Sequence, residues 1–204
     1  MSKRVYISAD YSEDSGDRDV VEMLNSWGND NLHKTDFVDM AKVVSGSVTN
    51  NNDDCRPCDI KAEFNRQINA SSAVIFVVGD KTKTRTAGSD CNRVGNGQYS
   101  SECTPYKQNA NGTKTCKVVF TSEPGDNDDV GSINSYSYLR HEFEQAKKKN
   151  KKIIVVYNSL RHESSWLPSY LNDYESVAEP FWVRNYWGEK VGNYSFIKKE
   201  LGYD

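Results

Sequence analysis

Tyr138-Leu139-Arg140-His141-Glu142-Phe143-Glu144-Gln145-Ala146, a lysine-rich turn, and then Lys152-Ile153-Ile154-Val155-Val156-Tyr157 decide the fold of this chain. Leu139, Phe143 and Ala146 recur at helical spacing, so the first half reads as a helix with one apolar stripe. Ile153 to Tyr157 is an unbroken β-branched and aromatic run, the pattern of a strand covered on both faces. The helix therefore packs on a sheet, while its first turn carries Arg140, His141 and Glu142. Ionisable side chains at the start of such a helix are placed to line a cleft.

Outward from there, the same two patterns alternate. Arg4 to Ser8 reads as a short strand, and Ala9 to Gly16 as a polar loop. Asp17 to Trp27 is an amphipathic helix, with Val20, Met23, Leu24 and Trp27 on one face. Asp14, Ser15 and Asp17 offer capping oxygens and negative charge at its start. Phe37 to Met40 is a weak strand, and residues 45–58 form an Asn/Asp-rich loop. Asp59 to Asn69 is a helix with Ile60, Phe64 and Ile68 inward. Ala73 to Val78 is the clearest strand, ended by Gly79. Residues 80–134 read mostly as loop, with Lys117 to Phe120 as the one strand inside. After Tyr157 come a loop with Trp166-Leu167-Pro168, a strand near Phe181 to Val183, and a helix from Ser195 to Leu201 with Gly202 as its C-cap. No internal repeat is present.

The 204 residues suit one large domain or two small ones. The hydrophobic fraction is 36% and the mean hydropathy −0.78, but the apolar residues are gathered into blocks that can form a core. A net charge of −3 and a pI near 5.7 give no basic surface for nucleic acid. No run approaches the roughly 18 apolar residues of a membrane helix. Met1 leads straight into a strand with no signal-peptide core, so a cytoplasmic location is expected. Asn69, Asn111 and Asn193 each begin a glycosylation triplet, which is a chance match in that compartment.

Strand and helix in alternation argue for a parallel sheet with helices on both faces. Sheets of this kind bind ligands beyond the carboxyl ends of their strands, where the strand order reverses. The rule nominates Ser8 to Asp14, Asp39 to Lys42, Gly79 to Arg85, and the start of the Glu142 helix.

At these segments the chain resembles a known family. Arg4-Val5-Tyr6-Ile7-Ser8-Ala9-Asp10-Tyr11-Ser12-Glu13-Asp14 is similar to the opening strand and loop of TIR and TIR-like domains. Phe37 to Asp39, Ala73 to Thr82 and Tyr138 to Glu142 resemble, in order, the matching segments of the TIR-like subunit of the Thoeris antiphage defence system. The similarity covers Ser2 to Arg85 and residues 136–160, at low identity. Its most specific part is an aromatic, an aliphatic, Arg, any residue and Glu, met here by Tyr138 to Glu142.

The resemblance implies a flavodoxin-like (TIR-like) fold over one domain, residues 1–204, with a long polar insertion, 86–134, before the fourth strand. It implies cleavage of NAD at the nicotinamide–ribose bond, with NAD as substrate and no separate cofactor, and a cyclic ADP-ribose signal as product. Self-association is expected with it. Glu142 matches the catalytic glutamate, and Ser8, Asp10 and Tyr11 match the loop lining the nucleotide pocket. Together with the strand-end rule, the candidate substrate contacts are Ser8, Ala9, Asp10, Tyr11, Asp39, Gly79 and Thr82. Ala9 stands where the family usually has an aromatic, and the insertion replaces a short link. The alternative reading is a non-catalytic TIR-like module that assembles with partners.

One carboxylate suffices for the implied chemistry. Breaking an N-glycosidic bond to a pyridinium develops positive charge on the ribose, as in glycoside hydrolysis. Nicotinamide leaves neutral, so no strong general acid is needed, and a preorganised carboxylate stabilises the cation. Set against this, Glu142 is also readable as a solvated carboxylate beside Arg140. His141 is expected on the surface or behind the site, because neighbours on a helix point in different directions. Glu144 faces away, so no paired-carboxylate site is read.

Cys55-Arg56-Pro57-Cys58 has the spacing of a metal knuckle or a redox pair, and Cys91, Cys103 and Cys116 fall in the insertion. Four of these five could close a zinc site. Disulfides and free thiols stay open beside it, and no metal is assigned. Gly95-Asn96-Gly97 follows no strand and lacks a third glycine, so it is no dinucleotide fingerprint. Lys147 to Lys152 is a basic helix end that complements the dipole. Asp10 and Asp80 mimic the acidic pocket of a receiver domain, but no Lys follows a later strand in the expected place. The insertion is longer than a strand-to-helix link requires, and it is expected to act as a lid or partner surface fixed by Cys91 and Cys103.

Overall fold

Ala73–Val78 has no polar side chain, and it forms a strand, β3, in which every residue is buried. The computed structural model describes residues 3–11, 15–29, 35–39, 56–85, 103–108, 114–118 and 137–203, and only the backbone at 39, 56–62, 103–108 and 114–118. Around β3 lies a five-stranded parallel sheet of β1 (Lys3–Ser8), β2 (Thr35–Asp39), β3, β6 (Lys152–Tyr157) and β7 (Glu179–Pro180), in the order β2-β1-β3-β6-β7. The register puts Ile7 beside Asp39 on one side and Ile75 on the other, and Ile75 beside Ile154. This is the flavodoxin-like order, which reverses direction between β1 and β3.

The helices are α1 (Asp17–Gly28), α2 (Arg56–Ala70), α3 (Tyr138–Lys148) and α4 (Tyr194–Glu200). Val20, Val21 and Leu24 of α1 meet Ile197 of α4 and Leu201 on one face of the sheet, over Val5, Ile7, Ile75, Val77, Ile154 and Val156. Burying each such side chain contributes about 1.5–3 kcal/mol. The other face, with Tyr6, Val74, Phe76 and Val155, is buried too. Right-handed crossovers assign it to the ends of α2 and α3 that lead into β3 and β6. There the Lys151 ammonium donates to the carbonyls of Asn69 and Ser71 at 2.8 and 2.7 Å.

The chain separates into two compact units. The first holds Met1–Met40, Ile68–Thr84 and Ala146–Asp204, and with them the whole sheet. The second holds Ala41–Gln67 and Arg85–Gln145. It contains most of α2, an antiparallel hairpin of β4 (Cys103–Gln108) and β5 (Lys114–Val118), and the start of α3.

Several expectations are corrected. The insertion carries two paired strands where one, from Lys117, was expected. Helix α2 starts at Arg56 rather than Asp59, because Pro57 is tolerated in a first turn, where no amide partner is needed. The fifth strand of the sheet is Glu179–Pro180, not Phe181 to Val183. Trp182–Arg184 instead forms β8, which pairs antiparallel with β9 (Lys190–Gly192). The position capping α1 is Gly16, with a left-handed φ of 69° and no side-chain cap. Asp14, residues 45–55, and most of the insertion, including Cys91 and the proposed lid, lie outside the described residues.

Candidate functional site at the strand ends

Strand β1 stays buried to its end and beyond: Ser8, Ala9 and Asp10 are all 5% exposed or less. Beyond it, Asp10, Tyr11 and Ser15 are tied to the start of α1. The Asp10 amide donates to Asp17 Oδ2 at 3.3 Å, and the Asp10 carbonyl accepts from Ser15 Oγ at 2.5 Å. Ser15 Oγ in turn accepts from the Asp17 amide at 3.3 Å. The Tyr11 carbonyl accepts from the Arg18 guanidinium at 3.0 and 3.2 Å, and its half-buried side chain donates to the Ile7 carbonyl at 3.4 Å.

The neighbouring strand β3 ends in a tight turn. The Gly79 amide donates to Thr82 Oγ1 at 2.8 Å, and the Thr82 amide donates back to the Gly79 carbonyl at 3.2 Å. Gly79 faces Asp17 so closely that a Cβ there would stand 2.5 Å from Asp17 Oδ1. On the far side of β3, the chain leaves β6 through Asn158, whose amide donates to the Val78 carbonyl at 2.9 Å. Asn158 Nδ2 donates to Asp17 Oδ1 at 3.0 Å, and Asn158 Oδ1 accepts from Trp182 Nε1 at 2.8 Å.

Asp17 is thus the hub of the site, although its sequence position suggested only a helix cap. It has no solvent exposure. Burial raises its pKa from 3.8 to about 7, with the negative charges of Asp10 and Asp80 adding to the rise. The hydrogen bonds from Asn158 and the Asp10 amide work the other way, because they favour the carboxylate. The site therefore holds a carboxyl group that changes charge near neutrality. The sequence signal for it was weak: an acidic residue after a strand-end loop, beside a glycine.

Of the expected site residues, the first unit brings together Ser8, Ala9, Asp10, Tyr11, Gly79 and Thr82, on two adjacent strand ends. Asp39 ends β2 as the Cα partner of Ile7, so its backbone lies at the same edge. Glu142 belongs to the second unit, in the first turns of α3, and is 3% exposed, so it is no solvated surface carboxylate. Ser137 caps that helix, its Oγ accepting from the Arg140 amide at 3.0 Å. Of the two places expected for His141, the surface is excluded: it is 1% exposed, and its Nε2 lies 2.9 Å from Asn65 Oδ1. Phe64 stacks edge-on against Tyr138, with centroids 5.5 Å apart, which joins α2 to the start of α3 within this unit.

Cys58 lies on α2, and Cys103 and Cys116 lie on β4 and β5, while Cys55 and Cys91 are outside the described residues. Among the described residues no group of His, Cys, Asp or Glu is arranged to hold a metal ion. No described helix is long and apolar enough to cross a membrane.

Strand order and the reversal between β1 and β3 define an α/β protein of the flavodoxin-like class. No protein-family model matches the chain, and no curated protein matches it.

Proposed function

We propose that the chain is a TIR-like enzyme that cleaves the nicotinamide–ribose bond of NAD and releases an ADP-ribose signal, cyclic in form, in antiphage defence. The reading is supported most by one coincidence. The residues that carry the family resemblance, Ser8 to Tyr11 and Gly79 to Thr82, end the two adjacent strands between which the sheet order reverses, where this class binds nucleotides. Glu142, the match to the catalytic glutamate, is 3% exposed, so on this reading the chain opens to admit the ribose to it, and its carboxylate then stabilises the ribosyl cation. Substrate contacts are assigned to Ser8, Ala9, Asp10, Tyr11, Asp39, Gly79 and Thr82, with the chain acting in the cytoplasm and self-associating.

A second reading has an observation of its own. Ser8, Asp10 and Thr82 are buried, so their side chains are covered in this conformation. That favours a module whose strand ends are structural and which acts through assembly. Chromatography of NAD incubated with concentrated protein, with and without extract from phage-infected cells, separates the two. The enzyme reading expects nicotinamide and an ADP-ribose product in at least one condition. Intact NAD in both conditions supports the assembly module.

A further inference from the structure

We infer that Asp17 is a positioning residue: a buried carboxyl latch that fixes the β1 loop against the ends of β3 and β6 and responds to protonation. The inference rests on the reading of that loop as the nucleotide-binding edge, and it adds how the edge is held and regulated. The latch is a chain of contacts from the Asp10 amide to Asp17, from Asp17 to Asn158, and from Asn158 to the Trp182 indole. Both carboxyl oxygens of Asp17 accept from donors that cannot easily turn away. Asp10 is also tied at the following peptide, whose carbonyl accepts from Ser15 Oγ, and Asn158 is held by its bonds to Val78 and Trp182.

A carboxylate satisfies both donors, whereas a protonated carboxyl has one oxygen converted to a donor and a weaker acceptor. The Asp10 contact is the longer, 3.3 against 3.0 Å, and is the one expected to loosen. Among the described residues, the charged groups that act on Asp17 are Asp10 on the β1 loop and Asp80 after β3, and both are acidic. The element ends at Asn158 and Trp182 contribute neutral donors and acceptors. The loop is therefore firmly held above neutrality and looser below it, because burial brings the carboxyl's titration to about pH 7.

The test is a titration of the full chain by NMR across about pH 5 to 9. It follows the Asp10 amide and the Trp182 indole N–H, the latter assigned by Trp182→Phe. Both signals are expected to move together with a midpoint near 7. Asp17→Asn should abolish the shared movement. Asn158→Ala removes a donor that favours the carboxylate, so it should shift the Asp10 midpoint upward. It carries the test alone should Asp17→Asn not fold. Flat signals in the unsubstituted chain, the same midpoint in Asp17→Asn, or an unmoved midpoint in Asn158→Ala would each overturn the latch. In an NAD-cleaving protein the KM for NAD should fall severalfold above the same midpoint, and that dependence should vanish in Asp17→Asn. A shared titration without any NAD turnover leaves the latch standing and removes the enzyme reading.

Discussion

A carboxyl with no solvent exposure must be neutral or fully bonded, and Asp17 sits between the two. Its folded pKa of about 7 lies above the ordinary 3.8, so the native state holds this proton more tightly than the unfolded chain. Because desolvation of the charged form outweighs the two hydrogen bonds that tighten the loop, its net contribution to global stability is complete below about pH 4, falls as pH rises, and is lost through about pH 7. At about 1.4 kcal/mol per pH unit, the interval from 3.8 to about 7 corresponds to on the order of 4 kcal/mol. Melting temperatures at pH 5 and pH 8 should differ by less in Asp17→Asn than in the unsubstituted chain. An equal difference would mean that Asp17 does not titrate in this interval. Gly79→Ala places a methyl 2.5 Å from Asp17 Oδ1, against a side chain held at both oxygens, and should cost about 1–3 kcal/mol in denaturant unfolding. The combined Gly79→Ala and Asp17→Ala change should cost less than the sum, because the clash disappears with the carboxyl. Strict additivity would show that the two groups do not meet. Little of this was legible in the sequence. An Asp at a helix start is ordinarily a solvated cap, and its partner Asn158 lies 141 residues away. The choice between surface and interior for His141 was open for the same reason, its partner Asn65 being 76 residues distant.

The β8–β9 hairpin separates buried from exposed aromatic function. Trp182 is 5% exposed and spends its indole N–H on Asn158, while Tyr186 and Trp187 at the turn are 96% and 79% exposed. Trp182→Phe leaves the half-buried Asn158 Oδ1 without its donor and should cost about 1 kcal/mol. Tyr186→Ser and Trp187→Ser should stay within about 0.5 kcal/mol, as surface changes do. Thermal melts of the three variants check this ordering, and a large loss in either serine variant would place its ring in a packed environment. The turn itself is tied by Asn185, whose Oδ1 accepts from the amides of Trp187 and Glu189 at 3.0 and 2.9 Å. Elements with strong periodicity were readable beforehand: β3, β6, α1, and the end of α4. There Gly202, at φ 68°, donates to the Lys199 carbonyl while Tyr203 donates to Lys198, closing the helix as a glycine after its end suggested. The hairpin was not readable, because its strands are three residues each and its turn lacks an Asn-Gly or Asp-Gly pair. Likewise β7 is two residues, one of them proline, and carries no apolar signal.

Taken as a molecule, the chain is a parallel five-stranded sheet whose order reverses beside the loops that the family resemblance marks, together with a second unit that carries Glu142. The class of fold followed from the alternation of apolar runs with amphipathic helices, since each run has to be covered on both faces. The division into two units did not, because polar segments carry no periodicity that reports their packing. The hub at Asp17 and the motif at Ser8 to Tyr11 lie at the same strand ends, where the proposed nucleotide reading and its alternative, a non-catalytic assembly module, are to be told apart. The decisive element of the nucleotide reading is the carboxylate of Glu142. Glu142→Gln keeps the shape and removes the charge, and stabilisers of this kind are typically worth about two to three orders of magnitude in rate. The direct measurement is release of nicotinamide from NAD by the unsubstituted chain and by Glu142→Gln, side by side with phage-infected extract present. The account predicts release by the former and a loss of about a hundredfold or more in the variant. Equal rates, or NAD left intact by both, would contradict it.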